Sequence, residues 1–419
     1  MFSGITARTL AGVVTIFLLL CGLAPAPRAQ GADWSTLRVA FYPAVPERRA
    51  LFYLLEREFE RLYPGLNVEL VETYEEAGKT YSLADTYYEG GIAKVKADIY
   101  EVDTILLSDL VGRLQSVSLP FDDFAPAAVE AVRRNNETYA VPHWLCGNFL
   151  YYSKRDADVV AAVEKAETWP ELVADLVAKR KRLMVDLSGR STLGEWYLTA
   201  YADLVGLGQA QKDVRSSKSP DSRVVAALSD LVSACEPGFC RDSNLHRRSG
   251  YYARAFVRGQ ADVYVGYSES IHYGLRDALE NCLMGQRCLR EDEIGIRPLP
   301  AFFTPRKGGG VGWVDGLAID AQLKGIKLAI AREFIKFVVS EPGYRLVLVP
   351  EGEGGVQASD ISRYLLPARQ GVVIDKAPLY PMFVAAHGGR GTGMEVGLND
   401  ALRAVGSELN RLVKANPPK

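Results

Sequence analysis

Two residues of this chain combine reactive chemistry with a telling position. Cys146 sits in Pro142-His143-Trp144-Leu145-Cys146-Gly147-Asn148, just beyond a predicted strand, where Gly147 leaves the backbone open to close approach. Glu269 sits in Gly266-Tyr267-Ser268-Glu269-Ser270, at the end of another predicted strand. Each has a plain explanation by itself. A free cysteine is more often a small buried hydrophobe than a reagent, and Ser with Glu favours a helix start, Ser268 being the expected cap. Those explanations leave unaccounted a lone thiol and a carboxylate at two strand ends that one cleft would bring together. A thiol attacks as thiolate, which needs a base or a positive field, and a carboxylate within hydrogen-bond reach is such a base. His143, near in sequence, reads as a surface or stacked side chain.

Cys146 stands out because the other cysteines have partners or leave. The first residues carry Arg8, an apolar run from Leu10 to Ala24, then Pro25, Pro27 and the small residues Ala29 and Gly31, the pattern of a signal peptide over residues 1–31. The run is shorter than the roughly 20 residues a membrane-spanning helix needs. Leu20 precedes Cys21 where a lipidated cysteine is normally preceded by a small residue, so plain export to the periplasm or medium is expected, without stable membrane insertion. Cys21 departs with the leader, and five of six cysteines remain. Cys235 and Cys240 bracket one short turn-like span and Cys282 and Cys288 another, so an oxidising compartment predicts two disulfides. Four cysteines permit three connectivities, with local pairing favoured by proximity. A zinc site fits less well, since no C-x-x-C spacing occurs and no His lies beside them. No metal is expected.

The chain has 419 residues, 49 basic and 51 acidic, for a formal charge of −2. That length suggests two domains, and the balanced charge excludes a nucleic-acid binder, whose phosphate contacts leave a basic composition. Tyr outnumbers Phe, 21 to 15, which hints at a pocket for flat rings. The glycine-rich Lys307-Gly-Gly-Gly310 and Gly352-Glu-Gly-Gly355 fit neither a P-loop nor a dinucleotide fingerprint. No G-x-S-x-G elbow appears, and His246, His272 and His387 lack metal-ligand spacing.

Periodicity predicts a strand to Tyr42-Pro43, a helix through Leu51–Leu62, a strand at 68–71 and another at Asp98–Asp103, the βαβ order of a parallel sheet. Later come strands around Asp262–Gly266 and Val311–Ile319 among several helices, the last over Leu402–Val413. This order resembles the two-lobed periplasmic binding proteins of the maltose-binding type, an α/β type II fold whose chain crosses repeatedly between lobes. The resemblance implies lobe one from 33–142 plus 303–352, lobe two from 143–302 plus 353–419, and a ligand in the inter-lobe cleft at the carboxyl ends of strands.

Six ordered blocks sharpen the resemblance: Tyr42-Pro-Ala-Val-Pro46, Asp98-Ile-Tyr-Glu-Val-Asp103, Tyr139-Ala-Val-Pro-His-Trp-Leu-Cys146, Tyr252-Ala-Arg-Ala255, Gly266-Tyr-Ser-Glu-Ser270 and Tyr364-Leu-Leu-Pro-Ala-Arg369. Together they resemble the thiaminase I family, secreted thiamine pyridinylases on that fold. The resemblance implies Cys146 as nucleophile, Glu269 as base, and a pyrimidine pocket lined by Tyr42, Asp103, Tyr252 and Tyr267. A further family Tyr-x-Asp pair falls on Trp313-Val-Asp315, where Trp313 keeps a flat ring and loses a hydroxyl. The segment 73–96 is longer than the family's, and its pocket tyrosine falls on Tyr74 or Tyr81. The implied activity displaces the thiazole of thiamine with an amine or a thiol through a covalent Cys–pyrimidine intermediate, in a monomer without metal or organic cofactor. The competing expectation is a non-catalytic binding protein for thiamine, its pyrimidine or another small solute.

Overall fold

The computed structural model describes residues 34–415 except 119, 217–218, 236–239, 241, 247, 249, 283–287, 306–308, 349–360, 373, 375 and 388–389. The leader expected over 1–31, the glycine-rich 352–355 and Lys307-Gly308 lie outside the described residues.

Strand β1 (Thr36–Ala40) runs parallel to β2 (Asn67–Leu70) and β5 (Ile99–Asp103). Helix α1 (Arg48–Leu62), between β1 and β2, buries Leu51, Phe52, Leu55 and Phe59, the one-sided stripe of an amphipathic helix. The tyrosine-rich segment that follows opens as a separate hairpin, β3 (Thr73–Glu76) with β4 (Lys79–Ser82). Its two-residue turn, Ala77-Gly78, has φ of 50° and 73°, the left-handed geometry that matches strand twist. Helix α2 (Thr104–Leu110) begins directly after β5.

The centre departs from the all-parallel expectation. Strand β6 (Val141–Ser153) is 13 residues long and continuous through Cys146, so the cysteine lies within a strand and not just beyond one. Helices α3 (Ala157–Lys165) and α4 (Trp169–Ala178), strand β7 (Leu183–Val185), and helices α5 (Arg190–Val205), α6 (Ser222–Ala234) and α7 (Tyr251–Val257) follow. Then come β8 (Val263–Tyr267), α8 (Ser270–Asn281), β9 (Ile294–Pro298), the return strand β10 (Val311–Ile319) and α9 (Gly325–Val338). Two-residue strands β11 (Leu366–Pro367) and β12 (Arg390–Gly391) precede α10 (Leu398–Ala415).

All but the β3–β4 hairpin and one further short hairpin join a ten-stranded sheet, ordered β2-β1-β5-β10-β6-β8-β7, with β9 and β11 on β6 and β12 on β10. β6 is antiparallel to β10 over 141–147 and to β8 over 148–152. The parallel rule holds at the flanks, while the two strands that carry the chain out and back run in opposite senses and pair antiparallel. β10 is buried along its whole length, which explains its near-continuous apolar run. Its register against β6 shifts between Asp315 and Gly316; a Cβ at Gly316 would lie 2.7 Å from that of Ala140, so only glycine fits there.

The cysteines pair locally, Cys235 with Cys240 and Cys282 with Cys288, each with Cα atoms 6.1 Å apart. Among the described residues Cys146 is the free one. Among the described residues no helix is long and apolar enough to cross a membrane.

Candidate active site

The sheet register assembles the site. Asp103 on β5 lies directly opposite Asp315 on β10, Trp313 lies opposite Cys146 on β6, and Tyr267 on β8 lies opposite Asn148, two residues past the thiol. Four neighbouring strands thus present two carboxyls, an indole, a thiol and a phenol in sequence across the sheet. Cys146 and Tyr267 are half-buried, whereas Asp103, Trp313 and Asp315 are buried.

The thiol of Cys146 donates a hydrogen bond to Asp315 Oδ2 at 3.1 Å. Burial first, then the charges of Asp315 and Glu269, push its pKa well above the ordinary thiol value. That shift favours the protonated thiol over the thiolate. Asp315 Oδ1 is buried without a hydrogen-bond partner among the described residues, a position with the cost of an unmet acceptor and open to a ligand N–H. Two carboxyls facing each other on adjacent strands cannot both ionise cheaply. Burial, and for Asp315 also the charges of Asp103 and Glu101, raises both, Asp103 to about 6.

Asp103 also anchors the tyrosines. Its Oδ1 caps α2 by accepting from Ile105 N at 2.9 Å, and its Oδ2 accepts from Tyr88 Oη at 2.9 Å. Tyr88 Oη is 2.6 Å from Tyr42 Oη; with its own proton given to Asp103, Tyr88 accepts from Tyr42. Tyr87 Oη accepts from Asp103 N and donates to Glu101 O. One layer deeper, Glu101 Oε2 accepts the backbone N–H of Tyr42 at 2.8 Å, and Oε1 lies 2.5 Å from His143 Nδ1. His143 is fully buried and stacked on Trp144, with centroids 3.9 Å apart, not a surface residue.

Glu269 stands at the start of α8, where Ser268 Oγ donates to its Oε2 at 3.3 Å. Ser268 is buried and makes no helix cap, the cap position falling to Glu269 without a side-chain bond. Burial raises Glu269 to about 7. It is close enough to push up both Cys146 and Asp315, yet the thiol's hydrogen bond goes to Asp315. Tyr252, on α7, lies beside Ser188, Asp186 and Asp242, and Asp186 also acts on Glu195.

Three contributors escape a reading of the sequence. The segment expected to supply Tyr74 or Tyr81 stacks those two on each other at 5.4 Å in the hairpin and sends Tyr87 and Tyr88 to Asp103 instead. The signal was the Tyr-Tyr pair just before Gly90-Gly91. The third is Glu195, on α5, whose carboxyl accepts a hydrogen bond from Tyr267 Oη. Burial, and after the hydrogen bond from Tyr267 the nearby charge of Asp103, leave it raised to about 8. Its signal was a lone carboxylate in the apolar run Leu193–Leu198. Among the described residues no group of three or more His, Cys, Asp or Glu side chains is arranged to hold a metal ion.

These raised carboxyls make stability fall with pH. A carboxyl whose folded pKa exceeds its unfolded value of about 4 binds its proton more tightly when folded. That contribution is complete below about pH 4 and is lost as pH rises through 6 to 8. Thermal melts of wild type and Glu195→Gln at pH 5 and pH 8.5 test this. The variant should gain on wild type at pH 8.5 and not at pH 5; an equal difference at both would remove Glu195 from the explanation.

The architecture defines a class first. The maltose-bound MalE3 of T. maritima superimposes with a TM-score of 0.62 at 17% identity, over 90% of this chain and 99% of that one, so the chain has the two-lobed, periplasmic-binding-protein-like α/β fold. Within that class it is similar to thiaminase I. Thiaminase-1 of Paenibacillus thiaminolyticus is 24% identical over 391 residues, 88% of this chain and 86% of that protein. The Clostridium botulinum thiaminase I in complex with thiamin matches with a TM-score of 0.66 at 19% identity, over 89% of this chain and 99% of that one. No protein-family model matches the chain.

Proposed function

We propose that the protein is a thiamine-degrading transferase of the thiaminase I kind, with Cys146 as nucleophile and Glu269 as general base. The observation that carries this reading is a thiol hydrogen-bonded to Asp315, one of two facing buried carboxyls, near Tyr42, Tyr88, Tyr267 and Trp313, where the charges acting on it among the described residues are those of Asp315, Glu269 and Asp103. Binding proteins need no thiol there. The likeness to thiaminase I supports the substrate.

Thiamine joins an aminopyrimidine to a cationic thiazolium through one methylene. The aminopyrimidine donates to Asp315 Oδ1 and the Asp103 side, while the aromatic rings flank the cation. Positive charge entering the cleft offsets the carboxyls that hold Cys146 protonated, so the thiolate forms when substrate arrives. With the proton passed to Glu269, the sulfur adds to pyrimidine C6. The ring electrons move to the methylene bond, which breaks, and the thiazolium leaves as neutral thiazole. An amine or a thiol then bonds to the methylene, the C6–S bond breaks, and its electron pair returns to sulfur as the ring regains aromaticity. No cofactor takes part. Lobe one over 33–142 plus 303–352, lobe two over 143–302 plus 353–419, Tyr252 as a ring-lining residue, export through the 1–31 leader and a monomeric state belong to the same proposal.

The test incubates the mature protein with thiamine and aniline and follows thiamine and free thiazole by chromatography. Catalytic loss of thiamine, dependent on aniline, is expected. Tight binding of thiamine without consumption would return the protein to the solute-binding class.

A further inference from the structure

The chemistry above employs three of the cleft carboxyls and leaves one idle. Asp103 and Asp315 face the aminopyrimidine and Glu269 handles a proton. Glu195 joins the same group through Tyr267, from whose hydroxyl it accepts a hydrogen bond. It stands on α5, which α10 holds closely at Gly194 and Gly406, where a Cβ on either glycine would strike opposing backbone. One oxygen of Glu195 accepts from Tyr267 Oη, and the other makes no hydrogen bond among the described residues. The negative charge of Asp103 reaches it across the cleft, and Tyr267 in turn feels both Cys146 and Asp103. Among the described residues no lysine or arginine pairs with Asp103, Glu195, Glu269 or Asp315. The buried, unpartnered Oδ1 of Asp315 marks the pyrimidine end of the site, and Glu195 is the acceptor left for what comes second.

We propose that Glu195 recognises the second substrate and selects a basic amine over an anionic thiol. This rests on the transferase reading. Once thiazole leaves as a neutral molecule, the cleft has lost its one cation. An incoming ammonium restores the balance: its positive charge draws the Glu195 carboxyl into its ionised form, to which it hydrogen-bonds and gives one proton. The freed lone pair then forms the C–N bond to the methylene as the C6–S bond breaks, and one of the two remaining N–H protons of a primary amine passes to solvent while the other stays on the product. A raised carboxyl suits that exchange near neutral pH. A thiol that carries its own carboxylate is disfavoured throughout, because its negative charge enters a desolvated, carboxyl-lined site in which, among the described residues, no cation offsets it.

The experiment compares kcat/KM for benzylamine, 2-mercaptoethanol and mercaptoacetate at saturating thiamine, together with single-turnover thiazole release, in wild type, Glu195→Gln and Glu195→Asp. Wild type should prefer the neutral thiol to the anionic one by about 10-fold or more, as like-charge exclusion requires. Glu195→Gln should lose at least about 10-fold more with benzylamine than with 2-mercaptoethanol, the penalty for removing a charged hydrogen-bond partner from one substrate only. Glu195→Asp should recover part of the amine rate. Wild type accepting mercaptoacetate as readily as 2-mercaptoethanol overturns the proposal whether or not the variants fold. Equal losses for amine and neutral thiol, or a matching loss in thiazole release, overturn it as well. Failure of wild type to release thiazole with any nucleophile sinks the transferase reading, whereas release without charge preference sinks only the role of Glu195.

Discussion

Cys146→Ser should abolish thiamine turnover, lowering kcat by at least about 10³-fold, as loss of a covalent nucleophile does. The substitution changes little else. A serine hydroxyl can donate to Asp315 Oδ2 as the thiol does at 3.1 Å, and Cys146 takes no part in either disulfide, so the melting temperature should stay near that of wild type and thiamine should still stabilise the protein by binding. What disappears is a leaving group able to depart from pyrimidine C6 after the second nucleophile has bonded. Intact-mass spectrometry of wild type quenched during turnover, or exposed to a trapping pyrimidine, should show one pyrimidine added, and peptide mapping should place it on Cys146. The variant should show none. Turnover by Cys146→Ser at the wild-type rate would exclude the covalent route even if thiamine is consumed.

The thiol is legible in the sequence because the expected leader sets Cys21 aside: of the other five cysteines two short spans claim four, and the local pairs form. Strand ends near 103 and 267 and the whole of β10 were legible from apolar periodicity. Cys146 fell outside its strand in that reading because Trp-Leu-Cys-Gly-Asn breaks the alternation; β6 continues through it by changing partners from β10 to β8, a long-range fact that no local pattern carries. The confrontation of Asp103 with Asp315 is likewise a matter of register between strands more than 200 residues apart in the chain. The resemblance points to Tyr74 or Tyr81 and not to Tyr88; a two-residue left-handed turn at Ala77-Gly78 folds those two onto each other, and turn type is weakly encoded when the first turn residue is alanine. Ser268 looked like a cap, but β8 carries it into the interior before the helix begins.

Glu269→Gln should lower kcat/KM for thiamine by about 10² to 10⁴, the range for loss of a positioned general base. It should also remove a limb of the pH profile. Burial holds Glu269 at about 7, and a base works when ionised, so wild-type kcat/KM should rise as pH increases through 7 and level off above it. With glutamine no such rise at 7 remains. The geometry supplies a rival for the same task, since the thiol's hydrogen bond runs to Asp315 and not to Glu269. Asp315, raised by burial and by Asp103 opposite, is a poor resident for a second negative charge, and its free oxygen is the one a pyrimidine N–H needs. That favours Asp315 as substrate anchor and Glu269 as proton acceptor. Asp315→Asn separates the two roles: it should raise KM for thiamine and weaken thiamine-induced stabilisation while the limb near pH 7 persists. If the limb instead survives in Glu269→Gln and vanishes in Asp315→Asn, the thiol's proton goes to Asp315, and Glu269 is left to serve the leaving group.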